Sequence, residues 1–341
     1  MQPAFVVVRT LVIAAIGGFA FDHAGLPAPY LSGAILASAV AALGGVTLSV
    51  PDRLRNLSYY CVGVIIGATV DSETLQLLPR WPVSMAALAI AMALILIVLP
   101  AYFRLVHGLD RPTARLSSIP GAMSQVIALT DDLDVDARRV LILHALRLII
   151  LMLLIPMAVW MAMPTDAPMS PSAPIMTLTE IALLTGVSVL GLPVARALRI
   201  PSPYFTGPML VAAILAASGA VSGSLPEPVI AAAFIVMGAI VGTQFSGVSR
   251  AYLVSCLGIG LGGILVAIGV TVLVAWPTAV YLDLPFIQIW LALAPGGFDT
   301  MAALALSLGV DPAFVAGHQF MRLLGLFAAI PFLFRDAKRS I

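Results

Sequence analysis

Long apolar runs separated by short polar segments recur along the whole chain. Several of these runs reach the roughly 20 residues that an α-helix needs to cross a bilayer. The pattern predicts ten membrane spans, at 4–21, 30–48, 55–71, 82–103, 139–161, 177–195, 204–222, 228–246, 251–276 and 312–334. Two further segments, 112–131 and 286–309, each contain a Pro-Gly pair near the centre. The predicted fold class is an all-α polytopic membrane protein.

Composition supports this fold class and narrows the classes of function. Of 341 residues, 61% are hydrophobic and 10% charged, whereas soluble domains carry about 25% charged residues. The net charge of +1 provides no electrostatic footprint for nucleic acid. The lipid bilayer is therefore the expected surrounding of the chain, and nucleic acid is not an expected partner.

The chain contains a tandem duplication. LPAPYLSGAIL, from Leu26, returns as IPSPYFTGPML, from Ile200, at an offset of 174 residues. Further along, the offset becomes 175, and Pro120–Gly121 matches Pro295–Gly296. The same offset pairs Arg147 with Arg322. We predict a first membrane repeat at 1–161, a Pro-rich connecting loop at 162–176 and a second membrane repeat at 177–341.

The positions of the arginines distinguish two arrangements of the repeats. If the Pro-Gly segments cross the membrane, each copy has six spans and the copies are parallel. If these segments are re-entrant, each copy has five spans and the copies are inverted. With the N-terminus inside, the inverted arrangement leaves Arg80 alone among the loop arginines outside, as the positive-inside rule favours. We therefore predict two inverted five-helix repeats, ten spans in total, with two re-entrant or broken-helix segments.

The strongest candidate site is the pair of Pro-Gly motifs. Proline lacks the backbone N–H and glycine allows a close approach, so each helix should break there. The free N–H groups after a break attract anions, and inverted repeats with broken helices are typical of secondary transporters. An alternative is a kink within an ordinary span, with polar residues as caps. The candidate substrate-binding residues are Pro120, Gly121, Ser124 and Gln125 in PGAMSQ, and Pro295, Gly296, Gly297, Asp299 and Thr300 in PGGFDT.

Two arginines, Arg147 and Arg322, lie about nine to eleven residues into their predicted spans, close to the bilayer centre. A charge at the bilayer centre costs at least about 2.5–3.5 kcal/mol on insertion scales, so a partner is expected. Both could bind an anionic substrate, most simply a carboxylate. Alternatively, each could bind the carbonyl groups of the neighbouring broken helix, or pair with Asp299. His144 and Gln319 each lie three residues before one of the arginines, on the same helix face.

Asp299, His144 and His318 are the candidates for ion coupling. Buried carboxylates in transporters often carry a proton or help to bind sodium, and histidine titrates near neutral pH. Asp299 could equally be a helix cap, and the histidines hydrogen-bonded spacers. We expect Asp136 to be an N-cap. The histidines and cysteines show no metal-ligand spacing, so no metal or cofactor is expected.

The two Pro-Gly blocks resemble a known family. The segments from PGAMSQVIALTDD and APGGFDTMAALAL onward are similar to the AbrB duplicated membrane-protein family of the bacterial inner membrane. This family is distinct from the soluble DNA-binding regulator of the same name. The resemblance implies two labels, regulator of gene expression and ammonia monooxygenase, without established functional residues. The lack of clustered metal ligands speaks against an enzyme.

We therefore expect a secondary transporter of a small anionic solute, with H⁺ or Na⁺ as the coupling ion. The alternative is a membrane-embedded regulatory protein that affects gene expression indirectly, without transport. The expected location is the bacterial inner membrane, with both termini in the cytoplasm. Whether the chain forms a homo-oligomer stays open.

Overall fold

A computed structural model describes residues 4–121, 126, 129–130, 135–162 and 174–333. These residues are nearly all helical, with an isolated bridge between Ile175 and Ser224 as the β structure recorded among them. The helices of the first half are α1 (Ala4–His23), α2 (Pro29–Leu43), α3 (Asp52–Gly67), α4 (Ser72–Leu77), α5 (Trp81–His107), α6 (Arg111–Ser118) and α7 (Ala137–Ala162). Those of the second half are α8 (Leu178–Ser188), α9 (Gly191–Ala197), α10 (Pro203–Ala217), α11 (Glu227–Gly242), α12 (Arg250–Leu282), α13 (Phe286–Leu293), α14 (Phe298–Ser307) and α15 (Pro312–Leu333).

Seven stretches within the described part of the chain are long and apolar enough to cross a membrane. They contain α1, α5, α7, α8 with α9, α11, α12 and α15. The spans predicted at 30–48, 55–71 and 204–222 form shorter helices, α2, α3 and α10, because each helix ends early at a turn, after Leu43, Gly67 and Ala217. The span predicted at 177–195 is interrupted at Val189–Leu190. The chain is a polytopic helical membrane protein.

One compact unit contains α1 to α4 and α8 to α11, together with parts of α7, α14 and α15. Within this unit, α2 packs against α1 and α11, and α10 packs against α3, α8 and α9. Small residues allow these approaches, since the α-carbon of Gly33 faces Gly17 and that of Gly207 faces Gly191. Such small-residue contacts are typical of membrane helix pairs.

The second unit contains α5, α6, α12 and α13, together with the remaining parts of α7, α14 and α15. Here α5 contacts α6, α12 and α13. Polar side chains add bonds between helices: Trp290 Nε1 donates to Thr271 Oγ1 at 3.2 Å, and Arg80 Nη1 donates to the carbonyl oxygen of Leu282 at 2.9 Å. This unit holds both Pro-Gly motifs.

Candidate functional site

The first Pro-Gly motif follows a short helix. Asp110 caps α6 by accepting a hydrogen bond from the Thr113 amide at 3.0 Å. The helix ends at Ser118, and Ile119 is extended. Gly121 has a φ of +88°, a conformation that side chains disfavour. The predicted site residues Ser124 and Gln125 lie outside the described residues.

The second motif breaks a helix, as its Pro-Gly pair predicts. Helix α13 ends at Leu293, Ala294 is extended, and α14 begins at Phe298. The Thr300 hydroxyl donates to the carbonyl oxygen of Gly297 at 3.1 Å and so closes the first turn of α14. Asp299 lies in that same turn. A methyl group on Gly297 would come within 3.3 Å of Asp299 Oδ1.

The two breaks lie against each other. A methyl group placed on Gly121 would lie 3.5 Å from the carbonyl oxygen of Gly296 and 2.9 Å from Nη2 of Arg322. The first break is therefore in contact with the second break and with its arginine. This is the one place where described residues of both Pro-Gly motifs are recorded in contact.

Arg322 and Gln319, one turn apart on α15, bind the carbonyl groups around the second break. Arg322 donates to the oxygens of Ala294 and Gly296, both at 2.6 Å. Gln319 Nε2 donates to the oxygens of Leu291, Ala292 and Ala294, at 2.7 to 3.2 Å. Carbonyl groups at a helix C-terminus lack intrahelical partners, and in a membrane they need partners from the protein. These two side chains supply them.

Arg147 and His144, one turn apart on α7, do the same at the first break. Arg147 Nη2 donates to the Ile119 oxygen at 3.2 Å, and His144 Nε2 lies 2.7 Å from the same oxygen. Ile119 corresponds to Ala294 at the offset of 175. The described hydrogen bonds are thus those expected if the arginines bind broken-helix carbonyls. Substrate binding by the same arginines stays a prediction.

The site carries a positive charge. Arg147 is 6% exposed and Arg322 is 3% exposed, and the two like charges are near enough to interact. Their recorded bonds go to uncharged backbone carbonyls. Among the described residues, the two guanidinium groups and the carboxylate of Asp299 leave a formal charge of +1 around the two breaks. The helix ends at the breaks contribute about half a unit each, negative at the C-terminal ends of α6 and α13 and positive at the N-terminal end of α14, so together they offset about half of this charge.

His318, the third candidate for ion coupling, faces a different environment. Its Nε2 lies 2.7 Å from Ser84 Oγ, and its ring centroid is 5.3 Å from that of Trp81. Ser84 in turn donates to the Trp81 carbonyl at 3.0 Å. His318 and His144 therefore have different partners, although each shares a helix with one of the two buried arginines.

Two cavities recorded in the structure lie away from the breaks. One, of about 710 Å³, belongs to the first unit and has a mostly apolar lining, with Thr69, Asp71 and Ser222 among its polar residues. The other, of about 440 Å³, is apolar and lies between α5 and α12. Neither is lined by a residue of a Pro-Gly motif. We consider the breaks the better candidate site, because buried charge is concentrated there.

Sequence reasoning gave carbonyl binding by the arginines as one alternative, but it did not identify which carbonyl groups they bind. Ile119 and Ala294 carry no functional side chain, so no residue pattern could single them out. Their positions in the sequence were the available indication, since each of these two residues directly precedes a Pro-Gly pair. The role of Gln319 as a donor to three carbonyls was likewise not predicted.

Comparisons with known proteins place the chain in a family. A family model described as "Transition state regulatory protein AbrB" matches residues 30–337. The chain is 26% identical over 326 residues to the "Putative regulator AbrB" of Escherichia coli K12, which covers 93% of this chain and 92% of that protein. It is 24% identical over 360 residues to the "Uncharacterized protein YhjN" of Bacillus subtilis 168, with 95% and 91% coverage. Together with the membrane helices described above, these matches show that the chain belongs to the AbrB family of membrane proteins.

Proposed function

We propose that this protein is a secondary transporter of a small anionic solute, most simply a monocarboxylate, which binds at the two Pro-Gly breaks. The observation that carries the proposal is the formal charge of +1 at a buried site where the breaks meet. Burying a charge is costly unless a partner compensates it. A monoanion would compensate this charge.

The proposal includes an architecture of two inverted five-helix repeats, with ten spans and two re-entrant segments. Paired contacts at the repeat offset support it. Gly63 of α3 faces the Phe205 carbonyl of α10, and Gly238 of α11 faces the Leu31 carbonyl of α2. Because α3 is equivalent to α11 and α2 to α10, the same pair of helices packs together twice, each time with one helix from each copy. Inverted repeats that meet at broken helices are a common plan of secondary transporters.

The binding step would exchange one set of hydrogen bonds for another. In this structure the Arg322 guanidinium donates to two carbonyls, while its Nε is buried without a hydrogen-bond partner among the described atoms. A carboxylate accepts two parallel N–H donors from a guanidinium. Anion binding would therefore use Nε–H together with one Nη–H, at the expense of a carbonyl bond at the break. Asp299, His144 and His318 remain the candidates for coupling to H⁺ or Na⁺.

A regulatory membrane protein without transport is the second candidate function. It is favoured by the recorded hydrogen bonds of Arg147 and Arg322 to backbone carbonyls, which a purely structural site would also need. The cavities of about 710 and 440 Å³ also lie away from the breaks. A similar protein carries the name "Putative regulator AbrB". Under this function the arginines would stabilise the fold and the protein would move no solute.

Uptake by proteoliposomes separates the two functions. The wild type, Arg147→Gln and Arg322→Gln are reconstituted and offered radiolabelled acetate, lactate, pyruvate or succinate. Arg80→Gln is the matched control, because Arg80 also donates to a helix-end carbonyl, that of Leu282, but lies outside both breaks. Loss of a hydrogen bond to a charged group costs about 1.5–3 kcal/mol, or roughly 10- to 100-fold in affinity.

We expect uptake of at least one carboxylate by the wild type and by Arg80→Gln, and a loss of at least about tenfold in both site variants. Uptake no greater than that of empty liposomes for every carboxylate would contradict transport of this solute class. Uptake that survives in both site variants would contradict the arginine site. In the latter case transport would stand, and its binding site would lie elsewhere.

We propose the bacterial inner membrane as the location, with both termini in the cytoplasm. The arginine distribution along the chain supports this orientation through the positive-inside rule.

A further inference from the structure

We infer that His144 is a proton-binding site of the first break, and that it takes up a proton when an anion binds there. The coupling to an anion rests on the function proposed above, whereas the proton site itself does not. The inference begins with the two ring nitrogens of His144, both of which face backbone carbonyl oxygens. Nδ1 lies 2.9 Å from the Val140 oxygen and Nε2 lies 2.7 Å from the Ile119 oxygen.

A neutral imidazole cannot satisfy both of these contacts. It carries one N–H, and its other nitrogen presents a lone pair. A carbonyl oxygen is also an acceptor only, so one of the two short contacts would set lone pair against lone pair. The imidazolium ion has two N–H groups and donates to both oxygens. Both contacts of His144 can therefore be hydrogen bonds only when the ring is protonated.

The second copy shows what the same position looks like without a titratable group. Gln319 corresponds to His144 at the repeat offset of 175. Its amide nitrogen donates to the carbonyls of Leu291, Ala292 and Ala294, and it does so at every pH. The first break is thus held by a donor that can lose its proton, and the second by a donor that cannot.

Protonation of His144 would determine whether the Ile119 carbonyl accepts two hydrogen bonds or one. When the ring is protonated, this oxygen accepts from both His144 and Arg147. When the ring is neutral and keeps its N–H on Nδ1, the bond to Val140 remains and Arg147 alone holds Ile119. The added proton comes from a hydronium ion of the solvent: its O–H bond breaks, the N–H bond forms at the lone pair of Nε2, and a water molecule is left.

The surrounding charges link the proton to an anion. Arg147 shares the Ile119 oxygen with His144, so its positive charge opposes a second positive charge on the ring, and Arg322 adds positive charge beside the first break. Among the described residues, Asp299 on α14 is a carboxylate near the two breaks, and Arg115 lies one turn before the end of α6. An anion at the arginines would offset their repulsion and so favour the imidazolium. By linkage, the proton would raise the affinity for the anion by the same factor.

The proton site is tested without any ligand. Protein labelled with ¹⁵N-histidine is reconstituted in bilayers, and its imidazole signals are recorded by solid-state NMR between about pH 5 and 8, where histidine titrates. His144→Gln identifies the His144 signal and places in the first copy the residue that the second copy already has. His107→Gln is the control, because His107 Nε2 meets the Tyr102 hydroxyl, which can donate or accept.

We expect the His144 signal to show two protonated nitrogens over part of this range. A signal that remains that of a neutral ring at every pH would overturn the proton site. The coupling is tested by the pH change in weakly buffered solution when sodium acetate, lactate, pyruvate or succinate is added. We expect uptake of up to about one proton per bound anion in the wild type and in His107→Gln, and none in His144→Gln.

Equal proton uptake in the wild type and His144→Gln would assign the proton to another group, such as Asp299, and overturn the coupling. Anion binding without proton uptake would also overturn it, while the proposed transport function would stand. If none of these anions binds, the proposed function fails and the coupling fails with it. The NMR result decides the proton site in either case.

Discussion

At the scale of single residues, two aspartates at equivalent positions both cap the N-terminus of a helix, but in different surroundings. Asp136 was predicted as an N-cap, and its Oδ1 accepts from the Arg139 amide at 3.1 Å. Asp311, its counterpart at the offset of 175, accepts from the amides of Ala313 and Phe314, both at 2.9 Å. Burial raises the pKa of Asp311, and the backbone bonds from Phe314 and Ala313 only partly oppose the rise.

The pKa of Asp136 moves in the opposite direction. Burial opposes its ionisation, but the hydrogen bonds from the Tyr252 hydroxyl and the Arg139 amide outweigh burial and lower the pKa. The sequence predicted the cap at Asp136 because capping is local. It could not predict the difference between the two aspartates, since burial and the bond from Tyr252 depend on residues far along the chain.

We predict that Asp311→Asn raises thermal stability at neutral pH. Asparagine caps a helix as well as aspartate does, and it removes a charge that burial disfavours. Because the folded pKa is raised, stability falls as pH rises from about 3.9, the usual aspartate value, through the folded value. In the Asp311→Asn variant, this decrease in stability with rising pH should be absent. The measurement is the unfolding midpoint between about pH 4 and 7, and an unchanged slope would contradict the assignment.

Asp136→Asn is predicted to act in the opposite sense. Since the folded pKa is lowered, ionised Asp136 contributes stability above about 3.9, and this stability is lost as pH falls through the folded value. The asparagine variant should unfold at a lower temperature than the wild type at neutral pH. The same unfolding scan checks it, and equal shifts in both asparagine variants would show that the two caps do not differ.

At the scale of helices, the breaks depend on backbone shape as much as on charge. Gly121 combines a positive φ with a close approach to Arg322. The Pro-Gly pairs predicted where the helices break, because proline and glycine act locally. They could not predict that the breaks would touch, or that Arg147 and Arg322 would bind Ile119 and Ala294, because those partners are brought together by tertiary packing.

Gly121→Ala is predicted to disrupt the first break. The added methyl group would sit 2.9 Å from Arg322 Nη2, on a backbone with a φ of +88°, which costs about 1 kcal/mol or more for a residue with a side chain. We expect reduced stability and loss of carboxylate uptake. Gly108→Ala is the control for strain alone, because Gly108 also has a positive φ, of 65°, but has open space around it. Similar uptake defects in both variants would refute a specific role of Gly121.

Small residues where helices pack provide a separate test of the fold. A methyl group on Gly238 of α11 would lie 2.7 Å from the Ala34 side chain and 2.9 Å from the Leu31 carbonyl, both on α2. Overpacking of this kind costs about 1–3 kcal/mol. Gly238→Ala should therefore lower the unfolding temperature. Gly258→Ala should not, because its methyl group meets open space and alanine favours helix. Equal decreases in the unfolding temperature of Gly238→Ala and Gly258→Ala would contradict the close contact at Gly238.

At the scale of the whole molecule, the duplication is predicted from repeated sequence motifs, and the inverted orientation of the copies is predicted from loop charges alone. The described residues form two compact units, each with helices from both copies. Sequence similarity between the copies could not predict that each unit contains helices from both copies. It shows which helices are equivalent, but not which helices pack together. Segment 162–176, between the copies, should lie outside the cell if the repeats are inverted.

Labelling of single cysteines tests the inverted orientation. With Cys61 and Cys256 replaced by alanine, Ser170→Cys should react with a membrane-impermeant maleimide in intact cells. Leu198→Cys, at the exposed end of α9, should react only after the cells are opened. The reverse result at both positions would support six spans per copy and parallel repeats, and would contradict the inverted arrangement.

The central claim is that the two breaks form an anion site with Arg147 and Arg322, and ligand-induced stabilisation tests it most directly. The unfolding temperature of purified protein is measured with acetate, lactate, pyruvate or succinate at two pH values. A ligand at 100 times its dissociation constant adds about 2.7 kcal/mol to stability. We predict that at least one carboxylate raises the unfolding temperature of the wild type and Arg80→Gln, and that Arg147→Gln and Arg322→Gln lose the shift. No shift with any carboxylate, or an equal shift in all four proteins, would contradict the site.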